Sequence, residues 1–234
     1  MVVSVFICIV YNTVMPIHKE FNKTFFKKWS SDMAYILGFL FADGNIIKTN
    51  RNTHFVAIYT ADRDLLVSMA LSMRSNHKIS TCIYESGPVY KIQIGSKELF
   101  ADLITLGLTP NKAKRMKLPK IPKKHVNDFI RGYFDGDGCV WQGMTHPKRK
   151  TPTPGILVVF VSASFDFLKG LFVLLKELGV VGGSLYKSKS GTYARLSFST
   201  LDSLKIYKIM YNKPHRLFLS RKKLVFEKFI QMRS

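Results

Sequence analysis

The nine-residue stretch ILGFLFADG (Ile36–Gly44) recurs 94 residues later as IRGYFDGDG (Ile130–Gly138). Each copy runs apolar and aromatic residues directly into an aspartate that is followed by a glycine. Polar residues 30–32 are candidates for the N-cap of the first copy, and Gly44 is a candidate for its C-cap, so a helix is predicted that ends at the aspartate. Residues 34–42 are apolar without interruption, and a helix that is apolar on all sides is a buried helix.

A stripe of small residues lies on one face of each predicted helix. Gly38 and Ala42 are four residues apart in the first copy, as are Gly132 and Gly136 in the second, and residues at this spacing share a helix face. Small side chains let two helix backbones approach closely. The natural packing partner of each repeated helix is therefore the other copy.

One acid stands at the end of each predicted helix, Asp43 in the first and Asp137 in the second. The partial negative charge of a helix C-terminus repels a carboxylate by a few tenths to about 1 kcal/mol. Packing of the two helices would also bring the carboxylates side by side and raise the pKa of one of them unless a cation lies between them. A divalent metal ion removes both penalties. The plainer alternative is that two buried helices each end in an ordinary Asp-Gly turn.

The order of elements after the first motif is repeated after the second, which is typical of an internal duplication. Each half is predicted to contain a helix, two strands, a helix, two strands and a helix, which makes it an α+β unit. The predicted elements cover 45–60, 62–74, 81–94 and 97–107 after the first motif, and 156–164, 165–179, 183–199 and 201–211 after the second. The predicted organisation is an N-terminal segment (1–29), a first half (30–117), a Pro- and Lys-rich linker (118–125) and a second half (126–234).

The chain is strongly basic, with 36 Lys and Arg against 15 Asp and Glu and a formal net charge of +21. Such an excess costs self-repulsion unless a polyanion is the partner, so nucleic acid is the first candidate. The clustering of the basic residues favours this interpretation over a compositional bias or a device for solubility. The basic runs are NKAKRMKLPKIPKKH (111–125), HPKRK (146–150) and SRKKLVFEK (220–228).

Other classes of site find little support in the sequence. Cys8, Cys82 and Cys139 are too few and too scattered for a disulfide framework, and no two have the Cys-x-x-Cys spacing of a zinc site. The apolar residues 1–15 lack the basic start and the cleavage site of a signal peptide, and no apolar run reaches the about 18 residues of a transmembrane helix. We therefore expect an intracellular protein without a membrane partner, in a bacterial or archaeal cytoplasm or an organelle matrix.

On these residues the chain resembles the LAGLIDADG homing endonucleases, in the single-chain form that carries two motif copies. The resemblance rests on the two nine-residue motifs and on the basic β-hairpins after each, and it extends over roughly residues 30–232. It implies a monomer that needs no protein partner, with two pseudo-symmetric αββαββα halves. The motif helices would form the interface, and the sheets would form a saddle along the major groove of double-stranded DNA. Phe41 replaces the first acid of the motif, which Asp135 keeps, and Arg131 replaces a small residue.

The resemblance implies a metal-dependent DNA endonuclease. The last acid of each motif binds the catalytic divalent ions in this family, which corresponds here to Asp43 and Asp137, helped by the carbonyl groups of Ala42 and Gly136. Oxygen ligands suit Mg²⁺; Mn²⁺ is expected to substitute for it, and Ca²⁺ is expected to bind without supporting cleavage. Bound metal ions can activate a water molecule and stabilise the leaving oxygen of a phosphodiester.

The family also places a basic residue near each scissile phosphate, and by resemblance these residues are Lys112 and Lys222. For either lysine, a nonspecific phosphate contact or a solvated side chain is the plainer interpretation. Base recognition is expected from alternate side chains of the strands. The predicted DNA-binding residues are Asn45, Lys48, Arg51, Tyr90, Gln93, Trp141, Gln142, Lys187, Lys189, Tyr193 and Arg195.

Three functions fit the sequence. A site-specific double-strand DNA endonuclease is favoured by the two intact aspartates. An RNA maturase of the same ancestry would bind its host intron RNA as a splicing cofactor, and the basic surface does not separate it from the endonuclease. A catalytically inactive DNA-binding protein of the same fold is the third, and the lack of an appended helix-turn-helix pattern makes it less favoured.

Overall fold

The computed structural model describes residues 19–145 and 150–233. Most of the predicted N-terminal segment and four residues of the HPKRK run lie outside the described residues. The first half contains α1 (Ser31–Asp43), β1 (Gly44–Lys48), β2 (His54–Thr60), α2 (Arg63–Ser72), β3 (Ile79–Tyr84), β4 (Gly87–Gly95) and α3 (Lys97–Thr105). After a short 3-10 turn (Lys123–His125), the second half contains α4 (Val126–Asp137), β5 (Gly138–Thr145), β6 (Thr153–Ser162), α5 (Phe165–Glu177), β7 (Ser184–Lys187), β8 (Ala194–Phe198), α6 (Thr200–Tyr211) and α7 (Ser220–Gln231).

The duplication is visible in the topology of the sheets. Each half has a four-stranded antiparallel sheet, with the order β1-β2-β4-β3 in the first and β5-β6-β8-β7 in the second. Helices cover one face of each sheet, where alternate strand residues such as Val56, Ile58, Ile92 and Ile94 are buried. The other face is left open. This arrangement confirms the predicted α+β fold of two αββαββα halves.

The second half adds α7, a helix that the sequence analysis treated only as a basic run. Its buried residues Lys222, Phe226 and Phe229 recur at intervals of four and three, which is a helical stripe. The pattern was hard to see because charged side chains fill most of the other positions and one member of the stripe is itself a lysine. None of the helices in the two described ranges has the length and apolarity that a bilayer crossing requires.

The helices α1 and α4 pack against each other along their small residues. A Cβ atom at Gly38 would collide with the carbonyl oxygen of Phe129, and one at Gly132 would collide with the carbonyl oxygen of Tyr35. Residues 33–41 of α1 are all buried. This contact confirms that the motif helices form the interface between the halves.

The arginine of the second motif is accommodated beside this interface. Arg131 is buried and donates to the carbonyl oxygens of Met210 at 2.8 Å and Leu217 at 3.0 Å. It also pairs with Asp128, with Nη2 and Oδ1 2.7 Å apart. Because its guanidinium is turned toward the segment between α6 and α7, the close approach of the helices at Gly132 is preserved.

Candidate active site

Both motif helices end by running directly into a strand. Gly44 and Gly138 have extended backbones, with φ of −83° and −86°, so neither forms the left-handed cap that a terminal glycine often provides. Glycine is required for another reason, because a side chain at either position would collide with the preceding helical turn. Asp43 and Asp137 are therefore fixed where the interface helices meet the sheets.

The two aspartates lie close together, Asp43 with an exposed side chain and Asp137 half-buried. Burial raises the pKa of Asp43, and burial together with the nearby charge of Asp43 raises the pKa of Asp137 to about 6. A Cβ atom at Gly136 would collide with the Cβ atom of Ala42 and would lie 3.3 Å from Oδ2 of Asp43, so glycine is needed there. Two carboxylates that repel each other in a desolvated place favour the binding of a cation.

Lys112 closes the end of α1 from the segment after α3. Its Nζ donates to the carbonyl oxygens of Phe41 and Ala42, both at 2.7 Å, and also contacts that of Leu40. Burial lowers the pKa of the ammonium group to about 8, although the charges of Asp137 and Asp43 oppose the shift. A cation at this position stabilises the negative end of the helix.

Lys222 closes the end of α4 in the same way, but it comes from α7. Its Nζ lies 2.8 Å from the carbonyl oxygens of both Phe134 and Asp135, 3.2 Å from that of Gly136 and 2.6 Å from that of Gly138. An ammonium group has three donor hydrogens, so these four acceptors share them. Burial lowers the pKa of Lys222 to about 8, and the charge of Asp135 opposes this shift most strongly.

The oxygen atoms at the helix ends fit a hard divalent cation. The predicted ligand carbonyls of Ala42 and Gly136 already accept from the lysines, but a carbonyl oxygen has two lone pairs. Within residues 19–145 and 150–233, no group of three or more His, Cys, Asp or Glu side chains is arranged to hold a metal ion. Two carboxylates with carbonyl groups and water match Mg²⁺, which keeps several waters when bound. The metal and catalytic roles of these residues stay predictions.

The open faces of the sheets carry some of the predicted DNA-binding residues. Asn45, Gln93 and Arg195 alternate with buried neighbours along their strands, and the exposed Trp141 alternates with half-buried ones, so all four point away from the helices. Three others lie on connections rather than on strands, namely Arg51 between β1 and β2, and Lys189 and Tyr193 between β7 and β8.

Four predicted DNA-binding residues lie on the helix-covered side of the sheets. Tyr90 has the same parity as the buried Ile92 and packs against the core. Gln142 pairs with the buried Ile156. Lys48 shares the parity of the buried Ile46 but lies at the exposed end of β1, and Lys187 places its Nζ 5.7 Å from the ring centre of Phe165. These residues were expected on the open face because polarity was weighed without the period-two alternation that fixes each face, and their contact with DNA stays a prediction.

Three further residues on the open faces were missed by the sequence analysis. Lys91 lies over the ring of Tyr59, 5.5 Å from its centre, and both residues alternate with buried neighbours. Tyr186 pairs with Arg195 across β7 and β8, with the guanidinium 6.0 Å from the ring centre. The alternation around Ile58 and Ile92 was the signal that could have found the first pair.

Comparison with known proteins begins with the second half, where residues 124–225 match the LAGLIDADG-like domain. The probable translation initiation factor IF-2 of Thermococcus kodakarensis is 30% identical over an alignment of 189 residues, and the match covers 77% of this chain and 14% of that protein. The uncharacterized protein MJ0398 of Methanocaldococcus jannaschii is 26% identical over an alignment of 207 residues, and the match covers 82% of this chain and 71% of that protein. The chain therefore spans a small part of the first relative and most of the second.

Solved structures with a similar fold include DNA endonucleases. Meganuclease I-SmaMI bound to uncleavable DNA has a TM-score of 0.58 and 14% identity, and the match covers 87% of this chain and 88% of that one. I-SmaMI bound to an uncleaved DNA target in the presence of calcium ions has a TM-score of 0.56 and 12% identity, with coverage of 87% and 90%. Variants of the homing endonuclease I-DmoI have a TM-score of 0.54 and 15% identity, with coverage of 79% and 98%. Together with the domain match, these structures confirm the LAGLIDADG resemblance and the fold.

Proposed function

We propose, from the premise that the chain has a LAGLIDADG-like domain and the fold of the single-chain LAGLIDADG endonucleases, that the protein is a site-specific endonuclease that cuts both strands of double-stranded DNA. The observation that carries this proposal is the geometry of the repeated motif. Asp43 and Asp137 lie together at the ends of two packed helices, and each helix end is bonded by its own lysine, the half-buried Lys112 or the buried Lys222. An ordinary pair of Asp-Gly turns would not require a lysine at each helix end whose ammonium group is bonded to the last carbonyl groups of that helix.

The proposed roles follow from the atoms that each residue presents. Asp43 and Asp137 would hold divalent cations, with Mg²⁺ as the natural ion, Mn²⁺ as a substitute and Ca²⁺ as an ion that binds without supporting cleavage. A bound cation supplies an activated water molecule and stabilises the leaving oxygen. Lys112 and Lys222 partly compensate the carboxylate charges and place a positive charge where each scissile phosphate would lie. The close packing of α1 and α4 excludes water from behind the site.

The proposed partner is double-stranded DNA, and several observations support it. The net charge is +21, and the open sheet faces carry exposed basic and aromatic side chains such as Arg195, Trp141 and Tyr186. Two of the similar structures described above hold DNA. The comparisons give no support to an intron RNA partner. The duplicated halves, with boundaries at 30–117 and 126–234, would let one chain act as a monomer.

Selective cleavage of a random DNA library tests the proposal. The purified protein is incubated with long double-stranded DNA of random sequence in Mg²⁺, in Ca²⁺ and in EDTA, and the ends that are produced are sequenced. We expect double-strand breaks at one family of sequences in Mg²⁺ only. Sequence-specific binding in Ca²⁺ without any cleavage in Mg²⁺ or Mn²⁺ would instead identify a catalytically inactive DNA-binding protein.

A further inference from the structure

The interface between α1 and α4 contains two equivalent contacts that differ in chemistry. In one, the rings of Phe41 and Phe129 meet edge to face with their centres 5.5 Å apart. In the equivalent contact, the hydroxyl group of Tyr35 donates to Oδ2 of Asp135 at 2.7 Å. The two contacts are equivalent because Phe129 lies 94 residues after Tyr35 and Asp135 lies 94 residues after Phe41, which is the spacing of the two motifs. The polar pair of Tyr35 and Asp135 is fully buried. A buried polar pair in only one of two equivalent contacts needs a structural explanation.

The Oδ2 atom of Asp135 accepts a second hydrogen bond that leads out of the interface. The donor is the backbone N–H of Leu219, at 2.8 Å. Leu219 is the N-cap residue of α7, and its carbonyl oxygen accepts from the N–H groups of Lys222 and Lys223. Asp135 therefore fixes the first turn of the helix that carries the Lys222 side chain.

Arg131 holds the other part of the same connection. Its bonds to the carbonyl oxygens of Met210 and Leu217 fix the end of α6 and the residue two places before the cap of α7. Tyr35, Arg131 and Asp135, which we call the α7 anchor, are all buried. The start of α7 is thereby tied to α4, on which the Lys222 ammonium group lies.

Lys112 is presented in a different way. It lies in the segment between α3 and the 3-10 turn, and its carbonyl oxygen closes a local turn by accepting from the N–H groups of Arg115 and Met116. The position equivalent to Asp135 is Phe41, whose side chain offers no acceptor. The two lysines thus occupy equivalent places at the helix ends, but within residues 19–145 and 150–233 only Lys222 is reached through a buried polar link to the opposite motif helix.

We infer that Asp135, held by Tyr35, is a positioning residue that sets Lys222 at the end of α4, so that cleavage of one DNA strand depends on the α7 anchor while cleavage of the other strand does not. This inference rests on the proposed function. Its physical basis is hydrogen-bond geometry rather than charge, because one carboxylate oxygen accepts both bonds. The other oxygen, Oδ1, has no hydrogen-bond partner among the described residues, so an amide nitrogen at that place would break no existing bond.

Two substitutions at position 135 separate geometry from charge. Asp135→Leu keeps the branching at Cγ in a larger side chain but removes the acceptor, and Asp135→Asn keeps an oxygen that can accept from Tyr35 and Leu219. The double variant Tyr35→Phe/Asp135→Leu makes the contact apolar, like that of Phe41 and Phe129, and so protects the fold from an unpaired buried hydroxyl group. Lys222→Met serves as the reference for loss of the positioned group itself.

Strand-resolved cleavage is the measurement. A duplex with the target selected by the wild-type protein carries a different label on each strand, and each strand is followed separately in Mg²⁺, with affinity measured in Ca²⁺. For Asp135→Leu and for the double variant, we expect one strand to be cut on the order of 10–100-fold more slowly because the lysine is misplaced. The other strand should be cut at close to the wild-type rate, and affinity should be retained. Asp135→Asn should cut both strands at close to the wild-type rate.

A double-mutant cycle shows whether Asp135 acts through Lys222. Adding Asp135→Leu to Lys222→Met should slow the affected strand no further, because both changes remove the same positioned charge. Equal slowing of both strands, additive effects in the cycle, or a loss with Asp135→Asn as large as with Asp135→Leu would each overturn the inference. Absence of cleavage by the wild-type protein would contradict the proposed function instead, and the two failures are thereby distinguished.

Discussion

At the scale of single residues, the candidate active site holds two carboxylates that repel each other and two ammonium groups that attract them. Burial raises the pKa of both Asp43 and Asp137, and the charge of Asp43 raises that of Asp137 further. The ammonium groups of Lys112 and Lys222 lower these pKa values only in part, because both stay above their usual range. Sites that bind charged ligands often keep such unfavourable groups at the expense of stability. The consequences can be measured by removing one charge at a time.

Asparagine at either aspartate keeps the shape of the side chain but removes a charge that would hold Mg²⁺. For Asp43→Asn and Asp137→Asn, we expect strand cleavage to fall by orders of magnitude. DNA affinity in Ca²⁺ should be retained or increased, because a carboxylate that repels phosphate has been removed. Cleavage of a matched duplex beside the wild-type protein is the readout. Cutting at the wild-type rate by both variants would refute the catalytic assignment, and joint loss of affinity and thermal stability would assign a structural role.

The raised carboxyl pKa values also predict how the stability of the metal-free protein depends on pH. Burial raises the pKa of Asp135 and of Asp137 to about 6 from 3.8. A carboxyl group whose pKa is raised by folding stabilises the protein fully below its unfolded pKa, and this contribution is lost as pH rises through the folded value. Each group should therefore contribute roughly 1–3 kcal/mol that is lost between about pH 4 and pH 6.

Thermal unfolding in EDTA at a series of pH values tests this dependence. The pKa values of His77 and His215 are lowered by burial, so these groups make stability rise with pH and oppose the carboxylates. The difference between the wild-type protein and Asp137→Asn isolates the carboxylate, and this difference should grow as pH rises from 4 to 7. Mg²⁺ should raise the midpoint of wild-type unfolding more at pH 7.5 than at pH 5. A difference that does not vary with pH would show that Asp137 is not shifted.

At the scale of elements, the interface between α1 and α4 depends on the absence of side chains at two positions. Even a methyl group at Gly38 or Gly132 would meet the backbone of the partner helix, and a backbone cannot move aside as a side chain can. We expect Gly38→Ala and Gly132→Ala each to lower the free energy of unfolding by several kcal/mol through overpacking. Gly170→Ala in α5 is the comparison, because the added methyl group would meet only the side chain of Leu118, at 3.0 Å.

Thermal or denaturant unfolding of the three glycine-to-alanine variants measures the loss of stability at each position. The two interface variants should be much less stable than Gly170→Ala, and larger residues such as Leu at positions 38 and 132 should be worse still. Wild-type stability in both interface variants would show that the halves can separate without cost, which is incompatible with the described contact.

The helices that could be predicted from the sequence are those with a strong local pattern of apolar or small residues. The uninterrupted apolar run of α1 and the matched glycines of α4 were sufficient to predict two buried helices and their pairing. The helix α7 was missed because its buried stripe begins with Lys222, a residue that is rarely buried unless it is paired. The partners that make this burial possible are backbone carbonyl groups of α4, which become neighbours only when the chain has folded. The same limit hid the bond between Asp135 and Leu219.

The faces of the strands were partly predictable. Asn45 and Arg195 do lie on the open side, where buried neighbours flank each of them. Tyr90 and Gln142 were misplaced although Ile92 and Val140 lie two positions away and carry the parity of the buried face. Strict counting from the most apolar residue of each strand would have corrected both assignments.

At the scale of the whole molecule, the excess of basic residues predicts a strong dependence of DNA binding on salt. Each phosphate that is neutralised releases roughly one counterion, so affinity should fall steeply between low and physiological ionic strength. Titration of labelled target and random duplexes at several salt concentrations measures the slope. A nearly flat dependence would show that the charge serves solubility rather than binding.

Base preference should belong to the open sheet faces and not to the basic surface as a whole. Truncation of Gln93 or Arg195 should alter the sequences that are selected from a random library. Truncation of Lys123 or Lys124, which lie at the end of α4 opposite to Asp137, should at most weaken binding to all sequences alike. Selection in Ca²⁺ separates these effects from cleavage. An equal loss on all sequences for the sheet variants would move base reading elsewhere.

The direct passage of each motif helix into a strand has a consequence for where a duplex would be cut. Asn45 follows Asp43 by two residues, and Cys139 follows Asp137 by two, so no more than about 7 Å of chain separates each acid from the first open-face position. Gly44 and Gly138 pack directly against the preceding helical turn. The distance between each acid and the first open-face residue is therefore fixed. The chain itself would then set the offset between the bases that are read and the bond that is broken, so substitutions that change the recognised sequence should leave the cut at the same number of base pairs from the centre of the target.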